Sequence, residues 1–70
     1  MPCDLKESLR LAKTLVGLTL AEAELVSKQS GRRVRLVEED GQLFIGTRDY
    51  DSCRINVTVI KKTVVKAQVG

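Results

Sequence analysis

The chain has 70 residues and a net charge of +3, so we expect one small domain with a mildly basic surface. A domain of this size has little room for a catalytic cavity beside its core. It contains no histidine, which excludes catalytic triads, imidazole metal sites and general-base histidine chemistry. The composition therefore argues against an enzyme and gives no indication of a cofactor or metal.

The two cysteines, Cys3 and Cys53, form either one disulfide or two reduced thiols, since two thiolates alone do not close a structural zinc site. No apolar run approaches membrane-spanning length, so we expect no membrane partner. Asp4 and Glu7 near the start are not typical of a signal peptide. The N-terminus therefore leaves the compartment open.

Arg32, Arg33 and Arg35 form the densest basic cluster of the chain. No aromatic residues accompany them as a platform on which bases could stack. We interpret the cluster as a solvated face and expect no nucleic-acid partner.

The first segment with helical periodicity lies at the N-terminus. Asp4 and Glu7 have the spacing of a helix start. The apolar residues that follow at helical spacing are Leu5, Leu9, Ala12 and Val16. The pattern favours a short amphipathic helix that Gly17 interrupts.

A second helix is indicated more strongly after Gly17. Thr19 and Glu22 have capping-box spacing, and Gly31 can adopt the positive φ that ends a helix. Its shared apolar face consists of Leu20, Ala23 and Val26.

From Arg32 the apolar residues recur at every second position, which predicts a strand with Val34 and Leu36 on one face. Two more strands are predicted, one with Ile55, Val57 and Val59 on one face and one from Val64 to Val69. Lys61 and Lys62 mark the hairpin between them. The expected core consists of Leu15, Val16, Leu20, Val34, Leu36, Ile55, Val57 and Val59.

The stretch from Glu38 to Cys53 has no sustained pattern and is long for a domain of this size. Loops of this length on a rigid scaffold usually carry a binding function. Residues 43–45 could instead form a short extra strand. The acidic residues 38–40 could suggest a cation site, but leading into Gly41 they are more simply a hydrophilic turn.

The order of these motifs resembles the potato inhibitor I family of serine-protease inhibitors, to which eglin belongs. The residues that carry the likeness are Leu15-Val16-Gly17, Asp49-Tyr50, Arg54-Ile55-Asn56-Val57 and the terminal Val69-Gly70. The likeness covers about residues 15 to 70 and is strongest to microbial members of the family. It implies one inhibitor-like domain over residues 1–70, with residues 1–14 as an N-terminal extension.

The resemblance implies a reactive bond between Arg48 and Asp49 in a protease-binding loop, Gly46-Thr47-Arg48-Asp49-Tyr50. Arg48 would enter the primary specificity pocket of a trypsin-like or subtilisin-like protease, and Tyr50 would lie on the leaving side. Thr47 and Asp49 would brace the loop.

The resemblance also implies that Arg54 supports the loop from beneath with the several donors of its guanidinium. Asn56 stands where plant members commonly carry a second supporting arginine. Some plant relatives have a cysteine near the position of Cys53, so a bond to Cys3 would fasten the N-terminus against the loop-supporting segment.

These inferences predict an α+β domain in which one main helix packs on a small mixed sheet beside a long exposed loop, with an N-terminal helix as an addition. The predicted function is serine-protease inhibition by a monomer, and secretion is favoured if the protein is inhibitory. The alternative is a non-inhibitory interaction module on the same scaffold, as an oligomer or as a binder of a protein or small ligand.

Overall fold

The computed structural model describes residues 3–44 and 50–70, and it confirms the predicted α+β class. Two helices of similar length pack on a four-stranded mixed sheet, α1 mainly against β4 and α2 mainly against β1. Neither helix of the described ranges is long and apolar enough to cross a membrane. The elements are α1 Leu5–Leu15, α2 Leu20–Gln29, β1 Arg33–Glu39, β2 Gln42–Leu43, β3 Arg54–Ile60 and β4 Thr63–Val69.

Helix α1 begins at Asp4, whose carboxylate accepts the Lys6 amide at 2.9 Å and so satisfies one of the free donors of the first turn. The helix is present as predicted, but the predicted apolar face is largely wrong. Leu5 and Leu9 are almost half exposed, whereas the buried residues are Ser8, Leu11, Ala12 and Leu15. The helix is rotated toward Ser8 because the hydroxyl of this residue donates to the Ser52 carbonyl and accepts from Arg32.

Val16 was expected in the core, and this is wrong, since 48% of the residue is exposed. Val16 is the C-cap of α1 and has extended backbone angles, φ −64° and ψ 127°. The helical period therefore stops one residue earlier, at the fully buried Leu15.

Helix α2 starts with the predicted capping box. The Thr19 hydroxyl accepts the Glu22 amide at 3.2 Å, and the Glu22 carboxylate accepts the Thr19 amide at 3.0 Å. The bond from the Thr19 main chain is the main reason that the pKa of Glu22 is lowered. The helix ends at Gln29, and Gly31 follows with a φ of 73°, as predicted from its freedom to adopt positive φ.

The sheet has the order β2-β1-β3-β4. Its central strands β1 and β3 are parallel, while β2 and β4 are antiparallel to their neighbours. A parallel pair cannot be joined by a tight turn, because the chain must travel back along the whole strand. The connection between β1 and β3 lies in the long stretch from Glu38 to Cys53, in which the sequence shows no sustained pattern.

Two tight turns of the sheet use positive φ at both central residues, as two-residue hairpins prefer. One is the predicted turn at Lys61 and Lys62, with φ of 50° and 68°. The other is Asp40-Gly41, with φ of 50° and 86°, which returns the chain from β1 into the short strand β2. The predicted hydrophilic turn is therefore narrower than residues 38–40, since Glu38 and Glu39 belong to β1.

The core lies between the helices and one face of the sheet. Four of the expected core residues, Leu15, Ile55, Val57 and Val59, are fully buried, and Leu20, Val34 and Leu36 are partly buried against them. Sequence reasoning did not assign Val64 to the core, although it is fully buried on β4. The remaining buried apolar residues are Leu11, Ala12 and Ala23.

The link between the helices covers part of the outer edge of β4. Gly17 donates to the Val64 carbonyl at 2.8 Å, and Val64 donates to the Leu18 carbonyl at 2.8 Å. Gly17 has a φ of 96°, which other residues rarely adopt. The link thereby pairs an edge that would otherwise offer free main-chain groups to another chain.

The capping box of α2 predicts the effect of Thr19→Ala. The substitution removes the acceptor of the Glu22 amide, so the free energy of unfolding should fall by about 1 kcal/mol. Urea unfolding measures this change. Thr14→Ala is the control, because Thr14 is an exposed threonine inside α1 that caps no helix end. An equal loss in both variants would contradict the role of the cap.

Candidate functional site

The structure describes only part of the expected protease-binding loop. Gly46, Thr47, Arg48 and Asp49 lie outside the described residues, as does Ile45. Tyr50, at the far end of the loop, is 65% exposed. What the structure describes is how the chain is held on both sides of this segment.

The two ends of the connecting segment are fixed against the same strand. Phe44 donates to the Val37 carbonyl at 2.9 Å, and Arg33 donates to the Cys53 carbonyl at 2.8 Å. Val37 and Arg33 are four residues apart on β1, which corresponds to roughly 13 Å. The ten residues from 44 to 53 could span roughly 33 Å when extended, so the segment is more than twice as long as the separation requires.

A turn at Asp51 fixes the chain immediately before β3. The Asp51 carboxylate accepts the Cys53 amide at 2.8 Å, and its carbonyl accepts the Arg54 amide at 3.0 Å. An aspartate that accepts the amide two residues later is a common way to set a turn. The Arg33 guanidinium also donates to the Asp51 carboxylate, so this residue joins β1 to the chain before β3.

These contacts lower the pKa of Asp51 below its ordinary value. The largest cause is the hydrogen bond from the Cys53 amide, and the charges of Arg33 and Arg54 act in the same direction. Sequence reasoning did not single out Asp51. The signal was available, because aspartate side chains commonly accept the main-chain amide two residues further on, and the strand begins directly after that residue, at Arg54.

Arg54, the predicted supporting arginine, is the first residue of β3 and is only 6% exposed. Its guanidinium partners include the main-chain oxygen of Gly70, which accepts from Nε at 3.0 Å. In return the Gly70 amide donates to the Arg54 carbonyl at 3.0 Å. The first residue of β3 is therefore tied by main chain and side chain to the residue that follows β4.

Asn56 lies two residues further along β3, on the same face of the sheet as Arg54. Both alternate with Ile55 and Val57, which are fully buried in the core, so they point away from the helices. The side-chain oxygen of Asn56 is buried and has no hydrogen-bond partner among the described residues. This face of the sheet therefore carries the buried Arg54 guanidinium and, two residues further on, the Asn56 side-chain oxygen, which has no partner among the described residues.

A disulfide joins Cys3 to Cys53, with 5.1 Å between the two Cα atoms. It attaches the start of α1 to the residue between the Asp51 turn and β3. Beside it, the Ser8 hydroxyl donates to the Ser52 carbonyl at 2.7 Å. Ser52 and Cys53 are thus both held by the N-terminal segment.

The arginine cluster does not behave as one solvated face. The side chain of Arg33 is 68% exposed, but that of Arg32 is only 10% exposed. The solvated-face interpretation is therefore wrong for Arg32, because several acceptors around its guanidinium replace water. As for metals, residues 3–44 and 50–70 contain no group of three or more Cys, Asp or Glu side chains that could hold an ion.

Comparison with known proteins identifies a similar fold. A solved structure of the elastase inhibitor AFUEI superposes with a TM-score of 0.56 over 93% of this chain and 91% of that chain, at 21% identity. No family model and no curated protein matches the chain. At this identity the likeness shows that the two proteins share a fold.

The lowered pKa of Asp51 predicts a pH dependence of stability. A carboxyl group with a lowered pKa in the folded state contributes stability above its ordinary pKa of 3.8, and this contribution is lost as pH falls through the folded value. Asp51→Asn removes the charge and should therefore destabilise the protein near neutral pH but not at low pH. Unfolding free energies of both proteins between neutral pH and about pH 2 measure this difference.

A difference between the two proteins that stayed constant over this pH range would contradict the role of the charge. Asp40→Asn is the matched control. Asp40 also accepts a main-chain amide, that of Lys61 at 2.8 Å, but it lies in the turn between β1 and β2.

Proposed function

We propose that this protein inhibits serine proteases by presenting the segment around Arg48 and Asp49 as a substrate-like loop. The observation that carries the proposal is the arrangement of its two ends. A segment longer than its span leaves β2, which is paired with β1, and leads into β3, the parallel neighbour of β1. Its second end is fixed by Asp51, Ser52, Cys53 and Arg54. The shared fold with a protein named as an elastase inhibitor supports the same class of function.

Fixed ends favour inhibition because they reduce the conformational entropy that the loop loses when it binds a protease. An extended loop can add main-chain hydrogen bonds to the exposed strand edge of a protease. A loop that is already restricted loses less conformational entropy when it binds, so more of the contact energy contributes to affinity. We propose that the turn at Asp51 and the bonds of Arg54 provide this restriction on the leaving side of the reactive bond.

Arg54 and Asn56 are proposed as the supports beneath the loop. A buried guanidinium presents several donors in one plane, and the Gly70 main-chain oxygen is one of its partners. The buried oxygen of Asn56 is an acceptor without a partner among the described residues. Such groups suit a surface on which a second piece of main chain rests, because main chain offers both donors and acceptors.

The fixed ends also explain how an inhibitor can survive cleavage. If the protease cuts after Arg48, the new amine remains attached through Asp51 and the disulfide and cannot diffuse away. Religation then competes with hydrolysis, because the amine is held at a high effective concentration near the acyl group. The protease is thereby kept in a complex that it releases slowly.

Arg48 sets the proposed specificity. A long cation fits a pocket with a carboxylate at its base, as in trypsin-like enzymes, whereas the small pocket of elastase suits small apolar side chains. We therefore propose a trypsin-like or subtilisin-like target, even though the similar structure carries the name of an elastase inhibitor.

Titration of trypsin with the purified protein tests this function. The wild type should abolish trypsin activity at a one-to-one ratio, and Arg48→Asp should weaken inhibition at least about a hundredfold because a carboxylate is repelled by the pocket. Arg10→Asp is the matched control, since it makes the same change of charge at an exposed position of α1. This control should inhibit trypsin like the wild type.

Two results would contradict the proposal. Trypsin and subtilisin could both retain full activity with excess protein, or the protein could simply be digested at Arg48. Full protease activity together with a stable oligomer in sedimentation would favour the alternative, a non-inhibitory interaction module. Leu5 and Leu9 of α1 are among the exposed apolar residues that would be available for such an interaction.

A further inference from the structure

Two serines are fully buried, one on each helix, and they differ in their partners. The Ser8 hydroxyl donates to the Ser52 carbonyl at 2.7 Å and accepts from Arg32 Nε at 3.1 Å. The Ser27 hydroxyl has no hydrogen-bond partner among the described residues. Burying a hydroxyl costs free energy unless it is bonded, so the position of Ser8 depends on these two contacts.

Arg32 holds the other side of the Ser8 hydroxyl and is itself held from several directions. Its guanidinium donates to the Ser30 carbonyl at 2.7 Å and to the Asp4 carbonyl at 3.3 Å, and it pairs with the Glu7 carboxylate at 3.5 Å. These acceptors belong to the end of α2 and the start of α1. Arg32 therefore fixes the angle at which the first turn of α1, including Ser8, meets the rest of the fold.

The hydrogen bonds of Arg32 and Ser8 lead to Ser52, in the chain between the proposed loop and β3. Ser52 lies between Asp51, whose turn leads into β3, and Cys53, which is bound to Cys3. A bond to a main-chain carbonyl fixes the position of the chain itself rather than of a side chain. The disulfide fixes Cys53 only through a side chain, so the Ser8 bond adds a constraint that the disulfide does not supply.

We infer that Ser8 and Arg32 are positioning residues, which hold the chain at Ser52 and thereby slow hydrolysis of the bond after Arg48. This inference rests on the proposed inhibitory function. Without the Ser8 hydroxyl, Arg32 Nε loses an acceptor and the Ser52 carbonyl loses its donor. The leaving side of the reactive bond then moves more freely, and religation becomes slower relative to hydrolysis.

Ser8→Ala tests the inference, with Ser27→Ala as a closely matched control. Both substitutions remove one hydroxyl from a fully buried helical serine, but only the first removes bonds to the returning chain. The measurement is the rate of cleavage after Arg48 by trypsin, followed by intact mass under conditions where the protein is folded. The global unfolding free energy of each protein is measured in parallel by urea denaturation.

Ser8→Ala should be cleaved about tenfold faster than the wild type, and more than any change in global unfolding accounts for. Ser27→Ala should be cleaved at the wild-type rate. Equal cleavage rates of the two variants would overturn the inference. A rise in the rate of Ser8→Ala that matched its increase in unfolded population would also overturn it, since cleavage would then require only global unfolding.

A second variant keeps the test decisive if Ser8→Ala does not fold. Arg32→Lys retains the positive charge but cannot reach the Ser8 hydroxyl and the Ser30 and Asp4 carbonyls with one planar fork. It should also be cleaved faster than Ser27→Ala, and an unchanged rate would overturn the inference. Inhibition by the wild type is measured separately from the cleavage rates, so failure of the proposed function is seen as full trypsin activity with excess wild-type protein, whereas failure of the inference is seen in the comparison of the variants.

Discussion

The parallel pairing of β1 and β3 is the constraint on which the rest of this structure depends. Two parallel neighbours require a connection that returns along their length, and here the described residues of that connection, up to Phe44 and from Tyr50, contain no helix. Helices α1 and α2 instead cover one face of the sheet, and β4 pairs with the free edge of β3. The connecting segment is thereby left with both ends fixed on β1 and with more length than its span requires.

Among the described residues, most of the bonds that hold this segment in place are at its C-terminal end, at residues 51–54. Four consecutive residues from Asp51 to Arg54 are held by different kinds of bond: a turn with an ion pair, a hydroxyl contact, a disulfide and a buried guanidinium. A surface connection usually tolerates change, whereas each of these four residues is held by a specific bond. Under the proposed function, these bonds would keep the amine released by a protease in place.

The elements with local sequence signals were predicted well. The capping residues Thr19 and Glu22, the alternation in β3 and the Lys61-Lys62 turn depend on residues close together in the chain, and the structure confirms them. The turn into Gly41 was predicted, although Asp-Gly, a strong signal for a two-residue hairpin, was not used to predict the hairpin. A short strand over residues 43–45 was an alternative to a loop, and the structure has β2 at Gln42–Leu43.

The residues whose burial was predicted wrongly depend on contacts with residues far away in sequence, which the sequence alone does not reveal. Ser8 is buried, and Leu5 and Leu9 are not, because the Ser8 hydroxyl meets a carbonyl 44 residues away. The Arg32 side chain is only 10% exposed for the same reason, since its acceptors come from two helix ends that meet only in the folded chain. A main-chain acceptor such as the Ser52 carbonyl has no side-chain signature, so this part of the site could be found only in the structure.

Resynthesis of the proposed reactive bond is the most direct test of the central claim that the ends of this segment are held in place. Protein that has been nicked once after Arg48 and purified with its disulfide intact is incubated with a catalytic amount of trypsin. We expect a substantial fraction of the intact chain to reform, detected as the loss of one water from the mass, because the tethered amine remains near the acyl group. Nicked protein that stays nicked, or is degraded further, would contradict the account.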